Sequence, residues 1–416
     1  MHIGKRIKKI RELNNIERKN IAIISYSHLG NIESGQFKAS EQVLIDLSEI
    51  LNVPKDYLVR WQEYDIDLNL ELTSLKNEIE ENLDKAEQRI KEIKVNHSYI
   101  YSLYLEIYFF LLETYYLLKI GKYEHALSYY IKEVEPLIEI EKTPNNSMKE
   151  IYYYVQGTLH YYQKDFYKSL KYYELLIPLV TKSKIKAAIN YNIALCLTKI
   201  KSFEKAVQYA ENSLNIYLVE RMFNRVADAD NLLGAIYWRL KELDKAKDHL
   251  NKSLALSEQY QYKDILAKNY HNMGLVYQEE GNLEESLKFF QKSLDLKSES
   301  ESKIITYRSI LEIYLEQNRL EIAKETLLQA RKLKISTFEY NHLKIIEANL
   351  YLKQGDDKKY TKNMNEGIDY FLDNNHSEQL DGILEEYGDY LMSVNKNKAA
   401  AKYFKLALET KNKLRR

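Results

Sequence analysis

From Tyr101 to the carboxyl terminus the chain returns, about every 40 residues, to one order of small and large side chains, and no other feature restricts its fold as strongly. The segment NYHNMGLVYQEEGNLEESLKFFQKSLDL (Asn269 to Leu296) can be laid on DNLLGAIYWRLKELDKAKDHLNKSLAL (Asp230 to Leu256). Each has a small residue (Gly234, Gly274) and a Tyr three positions later (Tyr237, Tyr277). A second small residue stands twelve after the first (Ala246, Ser286), followed by a large apolar residue (Leu250, Phe290) and a third small one (Ser253, Ser293). A unit of this length cannot bury its apolar stripe alone, so the units must stack, and stacking lets a chain of 416 residues build one core by repetition. With only four prolines and twelve glycines, and apolar residues at helical spacing almost throughout, the fold expected is all-α.

The order of marks resembles the tetratricopeptide repeat, a pair of antiparallel helices whose small residues let the two helices, and the next repeat, approach closely. The small residue of the second helix recurs as Ala126, Ser169, Ala206, Ala246, Ser286, Ala323, a degenerate unit near Tyr360, and Ala400, at intervals of 43, 37, 40, 40, 37, 37 and 40. About eight hairpins are therefore expected, the outer ones weaker in pattern, coiling into a right-handed superhelix whose inner wall is lined by the first helix of each pair. Walls of this kind bind extended peptides or partner helices. Their polar positions, Asn192, Asp228, Asn231, Arg239, Lys268, His271, Asn272 and Gln278, are the candidate peptide-binding residues, with Tyr191 and Trp238 beside them. An asparagine amide both donates and accepts, so it pairs with a peptide backbone whatever the peptide's side chains are. Asn192, Asn231 and Asn272 fall at corresponding or adjacent positions of three successive repeats, which favours a ligand-holding row over idle surface amides. The tyrosines leave two readings open. Tyr152, Tyr153, Tyr154, Tyr161, Tyr162, Tyr172 and Tyr173 either floor a pocket or fill gaps between helices, and most are assigned to packing.

Lys plus Arg and Asp plus Glu both number 61, so no global field draws the chain to nucleic acid or membrane. The charge is local: Met1 to Arg60 carries ten cations against seven anions, and Lys5, Arg6, Lys8, Lys9 and Arg11 fall within seven residues. IGKRIKKIREL places Ile3, Ile7 and Ile10 on one helical face, IERKNIA (Ile16 to Ala22) reads as a short second helix, and SYSHLGNIESGQF (Ser25 to Phe37) as a third. SEQVLIDLSEIL makes a fourth, with Ser40 as N-cap and Pro54 beyond its end. Four short helices, the third ending in IESG, resemble the helix-turn-helix domain of the Cro/C1-like (Xre) repressors. The resemblance implies that the third helix enters the major groove. Ser25, Ser27, His28 and Asn31 would then meet base edges or phosphates, and Lys5, Arg6, Lys9 and Lys38 would contact phosphate. From Ala22 to Gly35 the chain takes thirteen steps, two or three fewer than is usual there, so the second helix is shortened or its turn tightened.

Such a head followed by a long repeat array resembles the Rap/Rgg/NprR/PlcR group of peptide-pheromone receptors. What this implies is a helix-turn-helix domain at 1–62, a linker and connector helix at 63–98, and a peptide-binding and dimerisation array at 99–416. It also implies a cytoplasmic homodimer that binds an operator in double-stranded DNA and is switched by a short signalling peptide through a change of dimer geometry. The same group includes response-regulator phosphatases, which need only a positioned glutamine and water, and a plain protein-interaction scaffold is the third reading. No Gly-rich phosphate loop, HExxH or metal-spaced histidine set occurs, so no enzyme, catalytic residue, metal or cofactor is expected. The single Cys196 excludes an intrachain disulfide and reads as a buried small side chain. The apolar run from Ile100 to Leu118 is broken by Glu106 and Glu113, so no membrane span is expected.

Overall fold

The computed structural model describes residues 1–142, 146–374, 376–380 and 382–414. Helices are α throughout apart from short 3-10 and π turns, and the described residues contain no strand. The chain forms two compact units, Met1–Thr181 and Lys182–Arg416.

The first unit begins with a head of four helices, α1 (Ile3–Leu13), α2 (Tyr26–Glu33), α3 (Glu41–Ile50) and α4 (Lys55–Val59). Ile3, Ile7, Leu29, Ile32, Leu44, Leu47, Leu51 and Leu58 are buried together as its core. The helix expected over Ile16–Ala22 is reduced to one 3-10 turn, Arg18–Asn20. The short spacing to Gly35 leaves no room for more, and Arg18 instead reaches the buried carboxylate of Glu33 (2.7 Å), which Arg11 also holds (2.6 Å). Ser40 caps α3 as expected, its hydroxyl accepting from the Val43 N–H. Gly4 must be a glycine, because a Cβ there would lie 1.8 Å from the Ile32 carbonyl oxygen.

The stretch expected to be an acidic segment and connector is instead a packed hairpin, α5 (Ile66–Glu81) and α6 (Leu83–Asn96). Leu68, Leu72, Leu75, Ile79, Ala86, Ile90 and Ile93 repeat at helical spacing and are buried against α7 (Leu103–Lys119). Next come α8 (Tyr123–Tyr129), prolonged by a π turn over Tyr130–Val134, and the pair α9 (Asn146–Tyr162) and α10 (Phe166–Leu176). The two acids of α7 hold its neighbours. Glu113 takes Lys94 of α6 at 2.5 Å and the Tyr129 hydroxyl at 2.7 Å, and Glu106 takes Arg6 of the head.

Arg6 is fully buried, and all five of its N–H donors are used. They reach Glu106 Oε2 twice (2.8 and 3.1 Å) and the carbonyls of Tyr57, Ile100 and Tyr101. Its guanidinium lies 4.1 Å from the Tyr57 ring centroid. Burial and the Glu106 charge hold the Tyr57 phenol well above its ordinary pKa, so it stays protonated and donates to Glu106.

The second unit is six hairpins: α11 (Ser183–Lys199) with α12 (Phe203–Val219), α13 (Phe223–Arg239) with α14 (Leu243–Gln259), and α15 (Lys263–Glu279) with α16 (Leu283–Leu296). They continue as α17 (Ser300–Glu316) with α18 (Leu320–Arg331), α19 (Thr337–Lys353) with α20 (Asp357–Asp373), and α21 (Ile383–Ser393) with α22 (Asn397–Leu414). Helices of 17 residues joined by three-residue turns give the 40-residue period, and the 14-residue α16 gives one of 37. Ala126, Ser169, Ala206, Ala246, Ser286, Ala323, Tyr360 and Ala400 sit on the second helices of eight successive hairpins, all buried. In four hairpins the large second-helix residue rests on a first-helix glycine: a Cβ on Gly157, Gly234, Gly274 or Gly388 would meet Tyr173, Leu250, Phe290 or Phe404 at 2.5–2.7 Å. Where the small residue is serine, its hydroxyl donates to the opposing carbonyl, as Ser169 does to Gly157 and Ser286 to Gly274, both at 2.7 Å. Cys196 is buried, and no helix among the described residues is long and apolar enough to cross a membrane.

Arg6→Ala strands the Glu106 carboxylate in the core and is expected to cost about 3–5 kcal/mol, read as a lower midpoint in urea denaturation. Gly274→Ala forces Phe290 from its seat and is expected to cost about 1–3 kcal/mol; unchanged midpoints for either variant would contradict the packing described.

Candidate functional site

In the second unit the first helices touch one another from hairpin to hairpin, α11 with α13, α13 with α15, α15 with α17 and α17 with α19, whereas the second helices make no comparable mutual contact. The stack therefore curves toward its first helices, and their outward side chains form an inner wall. Leu, Ile and Ala fill the faces toward the second helices, which leaves the wall to the polar residues of α11, α13, α15 and α17.

Two candidate asparagines present their amides there and one does not. Asn192 is half-buried with no partner among the described residues. Asn231 is 5% exposed and engaged at both ends: its Nδ2 donates to Asn269 Oδ1 (2.6 Å) and its Oδ1 accepts from Asn272 Nδ2 (3.1 Å). Asn269, wholly buried, passes the chain on to the Ser253 hydroxyl at 2.8 Å. Asn231 is thus a seam between α13 and α15 and not part of an open row, while Asn272 keeps its carbonyl oxygen for a ligand. Asp228 accepts from Lys268 across the same seam at 3.0 Å, with Lys268 still exposed. Gln278 is half-buried at the end of α15 with its amide unengaged, and Arg239 lies over the Trp238 ring (4.3 Å). His271 is buried rather than wall-facing, its Nδ1 3.1 Å from the Thr306 hydroxyl; burial first, then nearby cations, hold it well below the usual imidazole pKa.

The basic run of the head faces protein. Besides Arg6, Lys9 donates to Glu133 at 2.6 Å and Lys5 to the Ile138 carbonyl at 2.9 Å, so these three are not open to phosphate in this conformation. Each finds a carboxylate or carbonyl that folding brings from the first repeats. Ser25 is the N-cap of α2, its hydroxyl accepting from the His28 N–H (3.2 Å), and His28 rests against Phe37 with ring centroids 5.8 Å apart. Ser27 and Lys38 are exposed, and Asn31 is half-buried. Tyr26, 62% exposed on the same helix, belongs to this surface and went unread in the sequence. Also unread were Asn269 in the seam, and Lys297, Thr306 and Arg308 around His271. Arg308 stands 37 residues after His271, one shortened period on, and that spacing was the available signal.

A curved stack of helical hairpins with a polar first-helix wall defines a tetratricopeptide-repeat protein, and the family described as Tetratricopeptide repeat matches residues 185–259, 225–299 and 265–336. The chain is similar to the transcriptional activator NprA of Geobacillus stearothermophilus, 25% identical over 405 residues, covering 93% of this chain and 97% of that protein. It is also similar to response regulator aspartate phosphatase E of Bacillus subtilis (strain 168), 24% identical over 262 residues, 59% of this chain and 66% of that protein. Its fold matches the crystal structure of NprR in complex with its cognate peptide NprX, with a TM-score of 0.68 at 19% identity over 84% of this chain and 99% of that one. By sequence and by fold the chain is thus similar to members of the Rap/Rgg/NprR/PlcR group of repeat proteins.

Asn231→Ala leaves Asn269 Oδ1 and Asn272 Nδ2 without their partner and is expected to lower stability by about 1–3 kcal/mol. Asn192→Ala removes no contact and is expected to leave thermal unfolding unchanged; equal effects of the two would refute the division between seam and open wall.

Proposed function

We propose that this chain is a DNA-binding transcriptional regulator that acts as a homodimer and is switched by a short signalling peptide held on the first-helix wall of the second unit. The observation that carries this reading is the unspent hydrogen-bonding capacity of the wall. The Asn192 amide, the Asn272 carbonyl oxygen, the Gln278 amide and the Trp238 indole N–H come from three successive first helices, and a wall of this kind takes an extended peptide or helix. A peptide bridging those helices fixes the rotation between hairpins. Small rotations add along a stack in which each hairpin contacts mainly its neighbours, and a dimeric reader needs its half-site distance set within a fraction of a helical turn. Peptide and operator are then linked, each altering the other's affinity by one factor.

For the DNA contact the reading rests on α2, with Ser27, Asn31 and Tyr26 on its outer side and Lys38 beyond its end, and on similarity to NprA over nearly that protein's whole length. Fluorescence anisotropy with the duplex upstream of the chain's own gene, against a scrambled one, tests it. Asn31→Ala is expected to erase the preference between duplexes. Lys38→Ala is expected to weaken both alike and to reduce the salt slope by about one. Lys9→Ala, its ammonium already spent on Glu133, is expected to leave the slope unchanged. Absence of any sequence preference, with and without peptide, would defeat the DNA-reading role. Similarity to phosphatase E supports a second reading, a phosphatase acting on a response regulator, and loss of phosphate from such a partner on mixing would favour it.

A further inference from the structure

Where α13, α15 and α17 meet, the wall carries more positive charge than it neutralises. Lys297, the residue after α16, donates to Thr306 Oγ1 at 2.6 Å, and Thr306 lies 3.1 Å from His271 Nδ1. An ammonium only donates, so the Thr306 oxygen accepts from Lys297 and its hydroxyl hydrogen is available to Nδ1 of His271, which burial and the neighbouring cations keep neutral. In the head the enclosed cations are matched, Arg6 by Glu106 and Arg11 by Glu33, and near the group Arg308 is matched by Glu339 at 2.9 Å and the exposed Lys268 by Asp228. Lys297 and Arg239 have no carboxylate within 4 Å among the described residues, and Lys297 is half-buried. Beside them two buried donors, Trp238 Nε1 and Arg308 Nε, have no partner. The acids around the group are Glu339 on Arg308, Asp228 on Lys268, and Glu312, whose carboxyl burial raises while Arg308 and Arg239 pull it back.

We propose that Lys297, Arg239 and the Trp238 indole N–H form a carboxylate site that anchors the acidic group of the bound peptide, either its free carboxyl terminus or an Asp or Glu side chain. The assignment rests on the peptide-binding reading of the wall and names one anchor point on it. Lys297 and Arg239 both bear on His271 and Arg239 lies over Trp238, and two cations with a neutral donor suit a planar anion that accepts several charge-assisted hydrogen bonds. The site has its own pH signature. Burial, and then the charge of Lys268, lower Lys297 to about 8. The other groups near it are His271, held neutral, and the permanently charged Arg308 and Arg239. Only the ammonium form pairs with a carboxylate, so affinity is level from about pH 5, where the peptide carboxyl is ionised, up to pH 8, and falls about tenfold per pH unit once the pH is well above 8.

The test uses the full-length protein and two probes. The first is a pool of randomised heptapeptides prepared with a free carboxyl terminus, as the terminal amide, and as the amide without Asp or Glu, with retention read by equilibrium dialysis and mass spectrometry. The second is succinate against succinamide, read from the His271 imidazole resonances. Pools bearing a carboxylate are expected to be retained at least about tenfold over the pool with none. Which of the first two is retained tells terminus from side chain. Lys297→Met is expected to abolish the advantage and its loss at high pH, and Lys297→Arg to restore the advantage without the pH dependence. Equal retention of all three pools, untouched by Lys297→Met, overturns the carboxylate site and leaves peptide binding standing. If no peptide is retained but succinate, and not succinamide, moves the His271 signals in a Lys297-dependent way, the site stands and the peptide reading falls. If neither probe responds, the site is refuted.

Discussion

Four glycines, each sixteen residues ahead of the bulky side chain that rests on it, set how closely the paired helices approach. At Gly157, Gly234, Gly274 and Gly388 the first helix offers bare backbone, and Tyr173, Leu250, Phe290 and Phe404 occupy the space a methyl group would take. Close approach brings the small residues of the second helix, Ser169 and Ser286 among them, within hydrogen-bonding reach of the opposing carbonyls. The inner wall is a consequence of this spacing. With one face of each first helix consumed by its partner and its flanks by neighbouring first helices, only a narrow strip remains, and polar residues occupy it.

Much of this was legible because it is local. A residue and its partner twelve or sixteen positions on lie within one hairpin, so the order of small and large side chains can be read along a few lines of sequence, and the period follows from helix and turn lengths. The degenerate unit near Tyr360 was legible as a helical hairpin for the same reason. The α5 and α6 hairpin was harder: its charged outer faces disguise Leu68, Leu72, Leu75 and Ile79, which mark a buried stripe once the helix is drawn.

The errors came from partners that are distant in sequence or from a single step in register. Five cations in seven residues look alike whether they face phosphate or carboxylate, and nothing near Arg6 announces that Glu106 lies 100 residues on. The two acids that interrupt the apolar run of α7 were read only as a bar to membrane insertion, yet they are the anchors for Arg6, Lys94 and Tyr129. Among the asparagines, Asn192 and Asn272 are separated by two whole periods and point alike, whereas Asn231 stands one position early. One residue turns a side chain by about 100° around an α-helix, enough to swing that amide from the open wall into the seam with Asn269.

The five bonds of Arg6 also order events during synthesis. Its carboxylate and two of its carbonyl acceptors belong to residues 100, 101 and 106, so when the head leaves the ribosome the guanidinium has only the Tyr57 carbonyl and ring to hold. At about 5–20 residues per second the ribosome needs roughly 2–9 s after residue 60 to deliver them. For that interval the first sixty residues are a nascent segment whose largest polar core residue is still hydrated, and the head completes its packing only when α7 emerges to receive it.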